Sequence, residues 1–178
     1  MSWRNWIDGA GCRFAAIGAL SIALAGCFQP MYGELPVGGG PSLRDALRDV
    51  EIAEVEGRVG QEIRNDIIFE LTGGDGNPAG APFRLTMTIS TRTQTPIVDP
   101  TTGISQVDTV GLTVNYRLVD VASKKLVLTD SALARVSVDR SMQRFARLRG
   151  IRDAENRAAK AVAQQIRARL ATYFLTRT

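Results

Sequence analysis

From Phe83 to Ser90 the chain alternates without a break: Phe83, Leu85, Met87 and Ile89 are apolar, and Arg84, Thr86, Thr88 and Ser90 between them are polar. Successive side chains on a strand point to opposite faces, so this run predicts a β-strand with one dry face and one wet face. A strand of that kind belongs to a sheet covered on a single side. The strand extends past Arg92 to a turn at Asp99-Pro100-Thr101-Thr102-Gly103. A second long strand follows, with Val110, Leu112, Val114, Tyr116 and Leu118 inward and Thr113, Asn115 and Arg117 outward. Asp120 to Lys124 reads as the next turn, and Lys125 to Val138 as the third strand of a meander. Its alternation slips between Thr129 and Ser131, where a β-bulge is expected.

Two amphipathic helices are available to cover the dry face. Ile63, Ile67 and Leu71 recur four apart and Ile68 widens their stripe, which predicts a helix over Val59 to Leu71 after a first strand near Val50 to Val55. Gly73-Gly74-Asp75-Gly76-Asn77-Pro78 ends that helix in what reads as a mobile loop. From Gln143 to Thr176 the residues Ile151, Ala154, Ala158, Val162, Ile166, Leu170 and Tyr173 follow the helical period, and the many alanines favour helix. Gly150 marks either a kink or the true start. The element order is β-α-β-β-β-α without internal repeat. It predicts an α+β two-layer sandwich, a four-stranded, mostly antiparallel sheet with two helices on one face.

Ahead of this body, Phe14 to Leu24 is apolar, follows Arg4 and Arg13, and closes on Leu24-Ala25-Gly26-Cys27. That layout is a secretory signal peptide whose end resembles a bacterial lipobox. The resemblance implies cleavage before Cys27, diacylation of its sulfur and acylation of the new amino terminus. A membrane-crossing anchor is disfavoured, because an apolar run this short spans about 16 Å as a helix, roughly half of a ~30 Å hydrocarbon core. The expected organisation is a cleaved signal peptide over 1–26, a lipidated tether over 27–45 rich in Gly and Pro, and one domain over 46–178. Two or three acyl chains anchor firmly where one would not. Phe28, standing where an Asp would favour the inner membrane, points to the outer membrane.

The chain has no histidine and two cysteines, Cys12 and Cys27, the first within the signal peptide. Ser-His-Asp and Cys-His catalysis and the usual zinc sites are therefore excluded, and no disulfide forms within a mature monomer. No pair of carboxylates stands in an apolar setting that would divide acid from base duties. Gly38-Gly39-Gly40 lacks the lysine of a phosphate loop. The expectation is a non-enzyme without cofactor or metal, suited to binding or assembly.

Charge is unevenly spread. Residues 143–178 carry nine basic residues against Asp153 and Glu155, while 27–142 carry eleven against fifteen acids. The basic helix either solvates its outer face or attracts phosphate or anionic lipid; a secreted address removes nucleic acid as a partner. Arg84, Arg92 and Arg117 project from the polar sheet face, and Lys124 and Lys125 sit at a hairpin tip. With Thr86, Thr88, Thr113 and Asn115 this face is either ordinary solvated sheet or a surface for a phosphorylated sugar or a protein wall, arginine being suited to phosphate.

Cys27-Phe28-Gln29-Pro30-Met31-Tyr32-Gly33 resembles the start of mature LPS-assembly lipoproteins of the LptE family, and the resemblance continues in Gly60-Gln61-Glu62-Ile63-Arg64-Asn65-Asp66, Phe145-Ala146, Asp153-Ala154 and Tyr173-Phe174. It implies the same element order, no catalysis, lipidation at Cys27, and a plug-like complex with the outer-membrane β-barrel LptD that delivers lipopolysaccharide (LPS) to the cell surface. Some members of that family bind LPS through basic residues. No motif carries those positions over, so Arg92, Arg117, Lys124 and Lys125 are assigned here by placement alone. The competing readings are an auxiliary lipoprotein of a lipid-transport ABC system, and an Asp/Glu glycan hydrolase requiring two carboxyl groups across a cleft.

Overall fold

The computed structural model describes residues 42–97, 107–139 and 143–176, all within the unit Pro36–Thr178. The expected signal peptide, Cys27, the expected tether up to residue 41 and the expected turn at 99–103 lie outside the described residues. In order the elements are α1 (Leu43–Arg48), β1 (Val50–Ile52), α2 (Arg58–Thr72), β2 (Phe83–Ile97), β3 (Val107–Asp120), β4 (Lys125–Asp139) and α3 (Arg144–Thr176).

The strands form one mixed sheet in the order β1-β2-β3-β4. β1 runs parallel to β2, pairing Val50 with Phe83 and Ile52 with Leu85, and the long strands form an antiparallel meander. The inward residues Leu85, Val110, Leu112, Val114, Tyr116 and Leu118 are buried, as are Ile63, Ile67 and Leu71 of α2 and Ala158, Val162, Ile166 and Leu170 of α3. Alternation on the strands and the helical period thus meet in one core, and the opposite face of the sheet is left open. Alanines on α3 lower its surface relief, so the 33-residue helix lies close on β3 and β4. At its far end Phe174 meets Phe83 edge to face, with centroids 5.3 Å apart. Helices α2 and α3 run side by side in the same direction: Arg58 pairs with Glu155 near one end and Glu70 with Arg167 near the other.

Four local features differ from the sequence expectation. The expected domain boundary at residue 46 cuts through α1, a helix capped by Ser42, whose hydroxyl accepts the Asp45 N–H, and seated by buried Leu43 and Leu47. The bulge lies at Val127 rather than over 129–131: Leu118 pairs with Leu128 and Val119 with Leu126, leaving Val127 between them. Gly150 is not the start, lying inside the helix, but marks a close approach, since a Cβ there would stand 2.9 Å from Val138 Cγ2. The Gly-rich loop after α2 is pinned: Asn77 bonds the N–H and C=O of Ile52 at 2.9 and 3.1 Å, and Asp75 pairs with Arg48.

Candidate ligand- and partner-binding face

The uncovered face of the sheet is built from every second residue of β2, β3 and β4. Thr86, Thr88, Ser90, Thr113, Asn115, Thr129 and Ser131 give it a hydroxyl- and amide-rich floor, on which Leu133 and, toward the β3–β4 hairpin, Leu126 are large exposed apolar side chains. Two shallow grooves run along it. One, of about 690 Å³, is lined by Thr86, Thr88, Asn115, Arg117 and Ser131. The other, of about 380 Å³, is lined by Ser90, Arg92, Gln94, Gly111, Leu133 and Arg135.

Strand register decides which cations meet. Arg92 stands opposite Gly111, and Gly111 stands opposite Arg135. With strands about 4.8 Å apart, the two arginines begin roughly 10 Å from each other. Gly111 leaves the space between them empty: a Cβ there would find only the Arg92 carbonyl oxygen within reach, at 3.7 Å. Neither arginine makes an ion pair among the described residues, whereas Arg84 on the same face is engaged by Glu51 at 3.2 Å. Two guanidinium groups lining one open slot, flanked by hydroxyls, have the chemistry to pair with a phosphate or another compact anion.

The four cations chosen from the sequence do not converge. Arg117 lies opposite Thr86, six residues along β3 from Gly111 and so about 20 Å away. Lys124 and Lys125 lie beyond Asp120 at the β3–β4 hairpin, about 30 Å or more from Arg92. There the Asp120 carboxylate accepts the Ser123 N–H at 2.9 Å, and Lys124 takes the left-handed conformation with φ 55°. Arg135, absent from the sequence-based selection, is the partner that the fold supplies to Arg92. Its signal was present, because it falls in phase outside Ala132, Ala134 and Val136, but only the β3 register shows that it faces Arg92.

Among the described residues no group of three or more His, Cys, Asp or Glu side chains is placed to hold a metal, and no helix is long and apolar enough to cross a membrane.

Comparison with known proteins places this geometry. The family model of the lipopolysaccharide-assembly protein LptE matches residues 43–170. No curated protein sequence matches the chain. Among solved structures, a putative lipoprotein from Caulobacter crescentus superposes with a TM-score of 0.62 at 21% identity, over 76% of this chain and 97% of that one. A minor lipoprotein from Acinetobacter baumannii gives 0.53 at 15% identity, over 69% and 88%. The rare lipoprotein B from Shewanella oneidensis gives 0.51 at 13% identity, over 69% and 92%. At such identities the structures establish a shared fold, and the family match extends over most of the chain. This protein belongs to the LptE family of lipopolysaccharide-assembly lipoproteins.

Proposed function

We propose that this protein is an outer-membrane lipoprotein, acylated on Cys27, that partners the β-barrel LptD as a plug in the delivery of LPS to the cell surface. The observation that carries the reading is the open sheet face with its Arg92–Gly111–Arg135 row. A face of hydroxyls, amides and a few cations suits the wet wall of a barrel lumen, and the backbone beneath it is already hydrogen-bonded, so a partner has only side chains and shape to match. The arginine pair holds the phosphates of LPS, and Arg117 contacts the sugar further along the same face. Lys124 and Lys125, at the opposite end of the sheet, contribute to partner contact rather than to this anion site.

The test is extraction of membranes in mild detergent followed by purification through a C-terminal tag. A stoichiometric large β-barrel supports the partnership; recovery of an ATPase-linked lipid carrier instead shifts the protein to an auxiliary role in ABC-driven lipid transport. LPS binding by Arg92→Gln with Arg135→Gln, compared with Lys124→Glu with Lys125→Glu, then tests the site. Loss of charge-assisted bonds weakens the first on the order of tenfold per arginine, while the second keeps its affinity. Equal affinity in both variants removes LPS recognition from the Arg92–Arg135 slot.

A further inference from the structure

The described part of the basic helix α3 holds eight cations, and the structure divides them. Arg147, Arg157, Arg167 and Arg169 are paired with Asp108, Asp153, Glu70 and Asp130, and Lys160 faces Asp66. Arg144, Arg149 and Arg152 are exposed and make no ion pair among the described residues. These three gather in the first turns of the helix, beside two of its exposed apolar residues, Phe145 at 80% and Leu148 at 49%.

The rotation of the helix is fixed from below. Arg147 points inward to Asp108, with Nε 2.9 Å from Oδ2, and Gly150 rests against Val138. Residues 145, 148, 149 and 152 follow the i, i+3, i+4, i+7 spacing of one helical face, and Arg144 borders it through Leu148. With the opposite side of the helix seated on the sheet, that face points to solvent. The nearest acids along the helix, Asp153 and Glu155, are engaged by Arg157 and Arg58, so nothing on the helix itself neutralises it.

We infer that this face, Phe145 and Leu148 framed by Arg144, Arg149 and Arg152, lies against a bilayer surface carrying anionic headgroups. Two apolar side chains framed by three cations fall far short of the roughly 20–30 residues a side of a stable protein interface. They are enough to enter the headgroup–acyl boundary when arginines beside them extend to lipid phosphates. A lipoprotein of this family works next to a membrane, so such a surface is always within reach. The contact would set the angle at which the domain leaves the membrane, independently of any anion held on the sheet face or of the identity of a barrel partner.

Brominated-lipid quenching on the lipidated chain from Cys27 onward, which holds no tryptophan, tests this. Phe145→Trp then places a single tryptophan on the face, and a matching chain with Leu175→Trp in place of Phe145→Trp reports an exposed apolar position at the other end of α3. In vesicles of brominated phosphatidylcholine with phosphatidylglycerol, the tryptophan at 145 is expected to shift to the blue and lose more than about half its emission, consistent with burial of ~5–10 Å into the boundary. The control stays solvent-like, and Arg144→Gln, Arg149→Gln and Arg152→Gln together abolish the effect. A tryptophan placed by Leu148→Trp instead repeats the measurement should the first variant misfold, as judged by circular dichroism. Solvent-like emission at both 145 and 148 overturns the inference. So does a shift that appears in neutral vesicles only after LPS is added, because the occupant is then the glycolipid and not the bilayer.

Discussion

Arg147→Met removes the charge that α3 sends to Asp108, and its cost follows from the geometry. Asp108 is fully buried on the inner face of β3, and Arg147 reaches it at 2.9 Å with 38% of its own side chain exposed. Two unit charges about 4 Å apart at an effective dielectric constant near 20 attract by ~4 kcal/mol. Solvent on the arginine side reduces this by roughly half. Asp108 has further interactions of its own, which keeps the loss below the ~3–5 kcal/mol of a buried pair stripped of one partner. The expected destabilisation is about 2 kcal/mol, a fall of roughly 1 M in the urea midpoint. Asp108→Asn with Arg147→Met recovers much of that loss, because no ionised carboxylate is left stranded, and the double-mutant cycle gives a coupling above ~1 kcal/mol. Hydrogen exchange localises the effect, with amides of the first two turns of α3 losing protection before the rest of the helix. A loss below ~0.5 kcal/mol, or a coupling near zero, refutes the claim that this pair docks the start of α3.

Three further outcomes are expected. Gly60→Ala places a Cβ 2.8 Å from Val55 Cγ1, so overpacking of ~1–3 kcal/mol outweighs the ~1 kcal/mol that alanine brings to a helix; thermal melts should show a loss, with its sign reversed in a Val55→Ala background. Burial first, then the Glu62 and Glu70 carboxylates, raise the pKa of Asp66 against the opposing pull of Lys160. Stability is thus lost as pH rises through that raised value, and Asp66→Asn should stabilise the domain at neutral pH by about 0.5–1 kcal/mol for two relieved i,i+4 repulsions, with less gain seen in acid melts. Burial, with help from Asp130 and against Arg169, pushes the Tyr116 hydroxyl up to about 12; its protonated form sustains the fold below the ordinary value of 10, stability falls as pH climbs from there through about 12, and Tyr116→Phe should blunt that fall in alkaline denaturation.

What the sequence made legible was whatever depends on near neighbours. Strict alternation from Phe83 to Ile89 reports a one-sided sheet because a strand has a period of two, and the alanine-rich stripe of α3 reports its covering helix. α1 escaped because six residues with three apolar positions, one of them an alanine, carry too little period to register. The bulge was displaced because Leu126, Val127 and Leu128 form an unbroken apolar run, which hides the phase change until Leu118 and Val119 show their partners. Arg92 and Arg135 are 43 positions apart, and two registers through Gly111 bring them together. The same registers send Lys124 and Lys125 to the far end. Asp108 and Arg147 are 39 apart, and no local pattern marks a lone inward carboxylate as paired.

The two sheet edges favour the open face over a strand edge as the surface for the proposed partner contact. An edge strand invites pairing through its free N–H and C=O groups. On β1, Asn77 occupies both groups of Ile52. On β4, Gln165 does the same for Leu133, accepting its N–H at 3.3 Å and donating to its C=O at 3.1 Å, while the Asp130 carboxylate accepts the Ser131 N–H. Each amide completes a short piece of ladder that a foreign strand would otherwise supply. Asp130 is itself held by Arg169 of α3, so the guard on β4 is part of the helix that covers the core. With both edges guarded, the proposed partner contact falls to side chains on the open face, where hydroxyls and arginines can distinguish ligands, and not to backbone, which cannot.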